Sequence, residues 1–217
     1  MKRFFLTAAL IMAVVGMQAQ SEKKSQWAVK PMVGATYSKL LDSYAGDMSY
    51  RFGFAAGAEV LFQPDKLGRF GLSSGILYSK LRTEVSDVIN ANVTFSYSYL
   101  DVPLLVNYEI AKGLKIKTGL QLGIRLKANY KGEYPSPWDD DAVFNMKSQT
   151  KPVCLSIPIG ISYDLPYGFV ADLRYSIGIT PVQRYQENIV NGVIYQNQGS
   201  RGHHSTFMLT LGYQIKW

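Results

Sequence analysis

The chain has 217 residues, 47% hydrophobic and 13% aromatic, with a formal net charge of +7 and a single cysteine, Cys154. One cysteine excludes an internal disulfide, and basic residues scattered along the chain form no run suited to nucleic acid. Beyond the N-terminus no stretch reaches the ~18 consecutive apolar residues of a membrane helix, so strands have to carry the apolar content.

Lys2 and Arg3 precede an apolar run from Phe4 to Val15 and then the small or polar Gly16, Gln18, Ala19 and Gln20. That order, with an apolar core too short to span a bilayer, predicts a secretory signal peptide over residues 1–20 and one mature domain over 21–217. Removing Lys2 and Arg3 takes the formal charge from +7 to +5. Cys154 reads as a small buried side chain.

From residue 27 apolar and polar residues alternate, the period of a strand with two different faces. Over 27–37, Trp27, Val29, Val33, Ala35 and Tyr37 oppose Lys30, Gly34 and Thr36. Over 51–63, Phe52, Phe54, Ala56, Ala58, Val60 and Phe62 oppose Arg51, Gly53, Gly57 and Glu59. Further strands are predicted over 70–78 and 97–109, the second with Tyr99, Asp101, Pro103 and Asn107 on its polar face. The clearest covers 114–128, LKIKTGLQLGIRLKA, where leucines and isoleucines, with Thr118 and Ala128, oppose Lys115, Lys117, Gly119, Gln121, Gly123, Arg125 and Lys127. Three more follow at 153–164, 169–180 and from His204 to the C-terminus. Pro31, Pro103 and Pro158 lie inside strands, where the missing N–H predicts irregular pairing.

Connections alternate in length. Short turns around Pro64 and Gly68, at 110–113 and at 165–168 alternate with long loops at 39–49, 80–96, 129–152 and 181–203. Eight strands with this rhythm predict an all-β, eight-stranded antiparallel up-and-down transmembrane barrel, with periplasmic turns and termini and extracellular loops. A soluble barrel would turn the apolar face inward, but an eight-stranded interior has too little room for so many large side chains. Aromatics near strand ends, Trp27, Tyr37, Tyr78, Tyr108, Tyr163, Tyr213 and Trp217, suit two interfacial girdles. Trp217, with Tyr213 and Ile215 on its face, also reads as a C-terminal signal for barrel-insertion machinery.

YLDVPLLVNY (99–108), LKIKTGLQLGIRL, DLRYSIGIT (172–180) and the terminal FMLTLGYQIKW make the chain resemble the porin-like outer-membrane β-barrels of Bacteroidetes, the PorT-like group. The resemblance spans the mature chain and implies an outer-membrane barrel without transferable catalytic residues. It also implies that Pro103 is a family feature.

The polar faces predict a lumen charge network of Arg51, Glu59, Asp101, Glu109, Lys115, Lys117, Arg125, Asp172 and Arg174, with Lys30, Lys127, Asp164 and Lys216. Glu109 is expected beside Lys115, Asp101 within reach of Arg125, and Asp172 beside Arg174. Confined charges need partners, so such a network would plug the barrel. His203 and Ser205 share a face and resemble the His-x-Ser arrangement of lipid A-deacylating barrels, but only Glu187 is at hand to orient the base. Asp139, Asp140 and Asp141 form an acidic run that reads as a solvated loop tip, because adjacent carboxylates repel and no alternating oxygens follow. Tyr134, Trp138 and Phe144 in the same loop are candidates for a protein or glycan contact. No cofactor and no metal is expected. The expected partners are outer-membrane lipid and lipopolysaccharide, the insertion machinery and a loop ligand. A structural or interaction role ranks first; a narrow small-solute channel and a lipid A-modifying enzyme are the alternatives.

Overall fold

The computed structural model describes residues 26–41, 48–64, 68–86, 92–132, 143–183, 186–190, 193–197 and 202–216. Its strands are β1 (Gln26–Leu41), β2 (Met48–Gln63), β3 (Phe70–Ser86), β4 (Asn92–Ala111), β5 (Leu114–Gly132), β6 (Val143–Asn145), β7 (Val153–Asp164), β8 (Phe169–Gly178), β9 (Gln186–Val190), β10 (Val193–Asn197), β11 (His203–Tyr213) and β12 (Ile215–Lys216). The long strands pair antiparallel in succession, and β11 returns to β1, closing an eight-stranded barrel. β12 prolongs β11 along β1, β6 pairs with the end of β5, and β9 and β10 form a separate hairpin. Closure leaves no long strand with an unpaired edge, the condition for strands to cross hydrocarbon.

Period-two alternation sorts side chains between two environments. Val33, Ile76, Leu104 and Leu209 are 57–62% exposed on the outer wall, whereas Thr36, Glu59, Asp172 and Arg174 are at most 1% exposed in the lumen. This is the reverse of a soluble barrel, and it needs lipid around it.

Several strands outrun their predicted ends, β1 reaching Leu41 and β2 starting at Met48. β3 continues to Ser86, β4 starts at Asn92 and β5 reaches Gly132. Past Tyr78 the outward residues turn polar, so the hydrophobic alternation fades while Leu81, Thr83 and Tyr97 stay buried and the ladder goes on. Tyr78 therefore lies mid-strand, not at a strand end.

The longest alternation also hides a break. Tyr99 pairs with Arg125 but Ser98 pairs with Lys127, so Leu126 is an extra, bulged residue. Beyond it the faces exchange: Ala128 is fully buried and Lys127 is exposed, each opposite to the side its spacing implied.

Each strand proline sits at a gap confined to one ladder. Pairing jumps from Val29–Ile215 to Met32–Gly212 beside Pro31, from Ser74–Leu104 to Leu77–Asp101 beside Pro103, and from Thr118–Ile159 to Gln121–Ser156 beside Pro158. Register is unchanged across every gap, and the bulges lie elsewhere. A missing N–H thus costs local pairing without shifting the strand.

Glycines allow the tight curvature. A Cβ on Gly119 would overlap Leu104 O, and one on Gly53 would overlap Lys80 O and block the Thr36 hydroxyl, which donates to that carbonyl at 2.8 Å. Gly119→Val is expected to prevent barrel closure, read as loss of the fast-migrating folded band when unheated samples are run on a denaturing gel.

Candidate functional site: a plugged lumen

Inward positions of four strands converge at mid-barrel. Lys30 on β1 lies opposite Glu59 on β2, and Lys117 on β5 shares a row with Gly160 on β7 and Arg174 on β8. Gly160 and Gly212 make room for them: added Cβ atoms would fall 3.1 Å from Arg174 Cα and 2.8 Å from Lys30 Cγ.

Two carboxylates are shared by three cations. Glu59 meets Lys30 at 3.1 Å, Lys117 at 3.2 Å and Arg174 at 2.6 Å. Asp172 meets Lys30 and Arg174 at 3.1 Å and also binds Lys117. Every member of this cluster is buried. Ions cost several kcal/mol each to desolvate, and the multiple contacts offset that cost only while all are present. The surplus positive charge faces Asp101, which accepts from Ser79 Oγ at 2.6 Å above the cluster.

Several predicted pairs are replaced by others. Glu109 does lie opposite Lys115, but Lys115 donates to Asp164 at 2.7 Å, and Glu109 takes the N–H of Gly113 in the turn at 3.2 Å. Arg125 does not reach Asp101; it donates to Thr150 O at 2.5 Å and to Thr150 Oγ1, because the segment before β7 folds back over the loop end. Arg51 pairs with Glu84 at the loop end, half exposed and apart from the central cluster. Lys127 and Lys216 are exposed.

Above the cluster Met32, Ala55, Leu77 and Met208 form an apolar layer. Above Asp101 a second layer of Leu40, Leu81, Tyr97, Tyr99, Ala128, Met146 and Val182 caps the lumen. His204 completes it, with Nε2 2.9 Å from Tyr99 Oη and its ring edge-on to both tyrosines. Tyr97 and Tyr99 have the same parity as Asp101, so their inward placement was readable; Met146 and Val182 come from loops and left no periodic signal. A pocket of about 40 Å³, where Asp101, Gln121 and Thr206 meet Leu81, Leu155 and Met208, lies under the cap. At the turn end a mouth of about 490 Å³ opens between Gln26, Gln63, Lys112, Lys115, Asp164 and Gln214. A pocket of about 20 Å³ continues from it, past Leu61, Lys115 and Asp164, toward Lys30, Glu59 and Lys117.

His203 and Ser205 do not form a base–nucleophile contact. His203 Nδ1 is 3.1 Å from Gly178 O, and the buried Ser205 hydroxyl lies between Tyr50 and Tyr175, at 3.1 and 3.0 Å. Glu187 falls in β9, across the hairpin from Gln196. On the outer wall aromatics gather in pairs: Trp27 on Phe62, Phe70 on Tyr108 and Phe169 on Tyr213 toward the turns, and Tyr37 on Tyr50 and Phe52 toward the loops. Tyr163 is exposed near the turn end of β7. Phe144 lies in β6 opposite Tyr130. Residues 1–20, Tyr134, Trp138, Asp139, Asp140, Asp141 and Trp217 lie outside the described residues.

The cluster sets a stability test. Asp172→Asn leaves three cations facing one carboxylate and is expected to cost about 3–5 kcal/mol. Asp101→Asn, which disturbs a hydroxyl contact, is expected to cost about 1–3 kcal/mol. Urea unfolding in detergent micelles measures both, and equal losses would mean that the cluster does not act as a unit.

Residues 18–184 match the outer membrane protein beta-barrel domain family. No curated protein matches the sequence. Among solved structures, Ail of Yersinia pestis in complex with the heparin analogue sucrose octasulfate is 13% identical, over 89% of this chain and 100% of that one, with a TM-score of 0.50. Neisserial surface protein A is 10% identical over 88% and 100% (TM-score 0.47), and OprG from Pseudomonas aeruginosa is 10% identical over 90% and 98% (0.43). At such identity the likeness to Ail shows the fold alone.

Proposed function

Since the chain belongs to the outer membrane protein beta-barrel domain family, we propose that it is a non-enzymatic, non-conducting barrel that acts through its long loops. It resides in the outer membrane. The observation that supports a closed barrel is the lumen itself, blocked at mid-height by the Lys30–Glu59–Lys117–Asp172–Arg174 cluster and again by Tyr97, Tyr99 and His204. A solute would have to break buried ion pairs and displace packed rings. Recognition is then left to the loop end, with Tyr134, Trp138 and Phe144 as contacts for a protein or glycan.

The same reading orients the molecule. Residues 1–20 act as the export signal, the short turns and both termini face the periplasm, and Trp217 addresses the insertion machinery. Its YLDVPLLVNY segment supports a place among the PorT-like barrels of Bacteroidetes. The mouth of about 490 Å³ favours the transport alternative, as a vestibule from the periplasm, but it narrows to the charge cluster. The engagement of Ser205 by Tyr50 and Tyr175 weighs against lipid A modification.

Planar-bilayer recordings of the purified protein are expected to show no steady channels; large, steady conductance would promote the transport reading. Deleting residues 133–145 is expected to abolish capture of a loop ligand from envelope extract while the barrel still folds. Retained capture would move recognition elsewhere.

A further inference from the structure

The outer wall changes chemistry abruptly on three neighbouring strands. Leu81, Tyr97 and Ala128, partners across β3, β4 and β5, are buried in the lumen cap. Successive strand residues point to opposite faces. The adjacent row, Lys80, Ser98 and Lys127, therefore points outward. Ser98 confirms the side, since it accepts the hydroxyl of Tyr78 at 2.9 Å and the Tyr78 ring packs on exposed Phe54.

Toward the membrane the next outward row is Tyr78, Leu100 and Ile124, followed by Val102, Leu104, Leu120 and Leu122. Toward the loops it is Arg82, Ser96 and Asn129. Apolar wall thus gives way within one step to three cations, two hydroxyls and an amide. The bulge at Leu126 adds Lys127 to this patch, because unbroken alternation would have sent it into the lumen.

Spacing suits a headgroup. Adjacent strands are about 4.8 Å apart, which puts Lys80 and Lys127 roughly 10 Å apart at the backbone, with Arg82 about 7 Å further along β3. Among the described residues none of the three cations has a carboxylate partner, and Glu84, two residues beyond Arg82, is taken by Arg51. Arg82 and Lys127 are exposed and Lys80 is half-buried.

We propose that Lys80, Arg82 and Lys127, with Ser96, bind the phosphorylated headgroup of an outer-leaflet glycolipid. Guanidinium and ammonium groups supply charge-assisted bonds to phosphate, and the partly exposed Ser96 hydroxyl reaches sugar or phosphate oxygens, while the buried Ser98 holds the Tyr78 hydroxyl. The apolar wall directly below takes the acyl chains, which distinguishes a lipid from free phosphate. The site depends on the loop end facing outward, as in the proposed orientation, but not on any loop ligand.

Native mass spectrometry of the folded barrel in detergent tests this, with diphosphorylated lipid A, the same lipid dephosphorylated, and phosphatidylglycerol as probes. Diphosphorylated lipid A is expected to bind most tightly, and Lys80→Gln/Arg82→Gln/Lys127→Gln to weaken it about a hundredfold. Lys112→Gln, at the turn end, is expected to leave binding unchanged. If the triple variant does not fold, Arg82→Gln and Lys127→Gln, at exposed positions, are expected to lose about fivefold each. Equal binding by the variants or of the dephosphorylated lipid overturns the proposal. Preference for phosphatidylglycerol overturns it too and reverses the assigned orientation, whatever the loops bind.

Discussion

The structure depends on two carboxylates, Glu59 and Asp172, each held by Lys30, Lys117 and Arg174 in a space without bulk water. An eight-stranded barrel is only wide enough for side chains to fill. Charges placed there either satisfy one another or destabilise the fold by several kcal/mol each. Because the five residues come from β1, β2, β5 and β8, their contacts join separate parts of the wall. The glycines beside them, Gly160 and Gly212, are part of the same solution, since side chains there would crowd Arg174 and Lys30.

The backbone obeys an equally strict rule from outside. Lipid offers no hydrogen bonds, so the wall has to close upon itself, and departures from regular pairing stay local. The prolines illustrate the limit: each opens a gap in one ladder while the opposite ladder keeps its register, at Pro31–Ala58, Pro103–Gln121 and Pro158–Ser176. The bulge at Leu126 is a larger departure, and it has two effects. It turns Ala128 inward to pack with Tyr97 in the cap, and it turns Lys127 outward beside Ser98.

Closure of the lumen and exposure of function are therefore linked. With ion pairs at mid-height and tyrosines beneath the loops, the interior is a core in the ordinary sense, although a polar one. What remains available for recognition is the surface: the loop end, the turn-end mouth and the outer wall.

Much of this was legible in the residues. Strand number, the two faces and the outer-membrane setting follow from period-two alternation, because the pleat links each position to one of two environments, lipid or lumen. The inward parity of Lys30, Glu59, Lys117, Asp172 and Arg174 was legible for the same reason. Which carboxylate meets which cation was not. Lys30 and Asp172 are 142 positions apart, and a narrow lumen brings several opposite charges within reach of each side chain. Hairpin register suggested Glu109 for Lys115 and Asp101 for Arg125, whereas Asp164 on β7 and Thr150 before it came closer in space. The bulge was likewise invisible, since Leu126 and Ala128 continue an apolar spacing that a single extra residue reverses. Local spacing alone determined where strands lie and which way most residues point; only the closed barrel decided partners and register, because both depend on distances between strands remote in sequence.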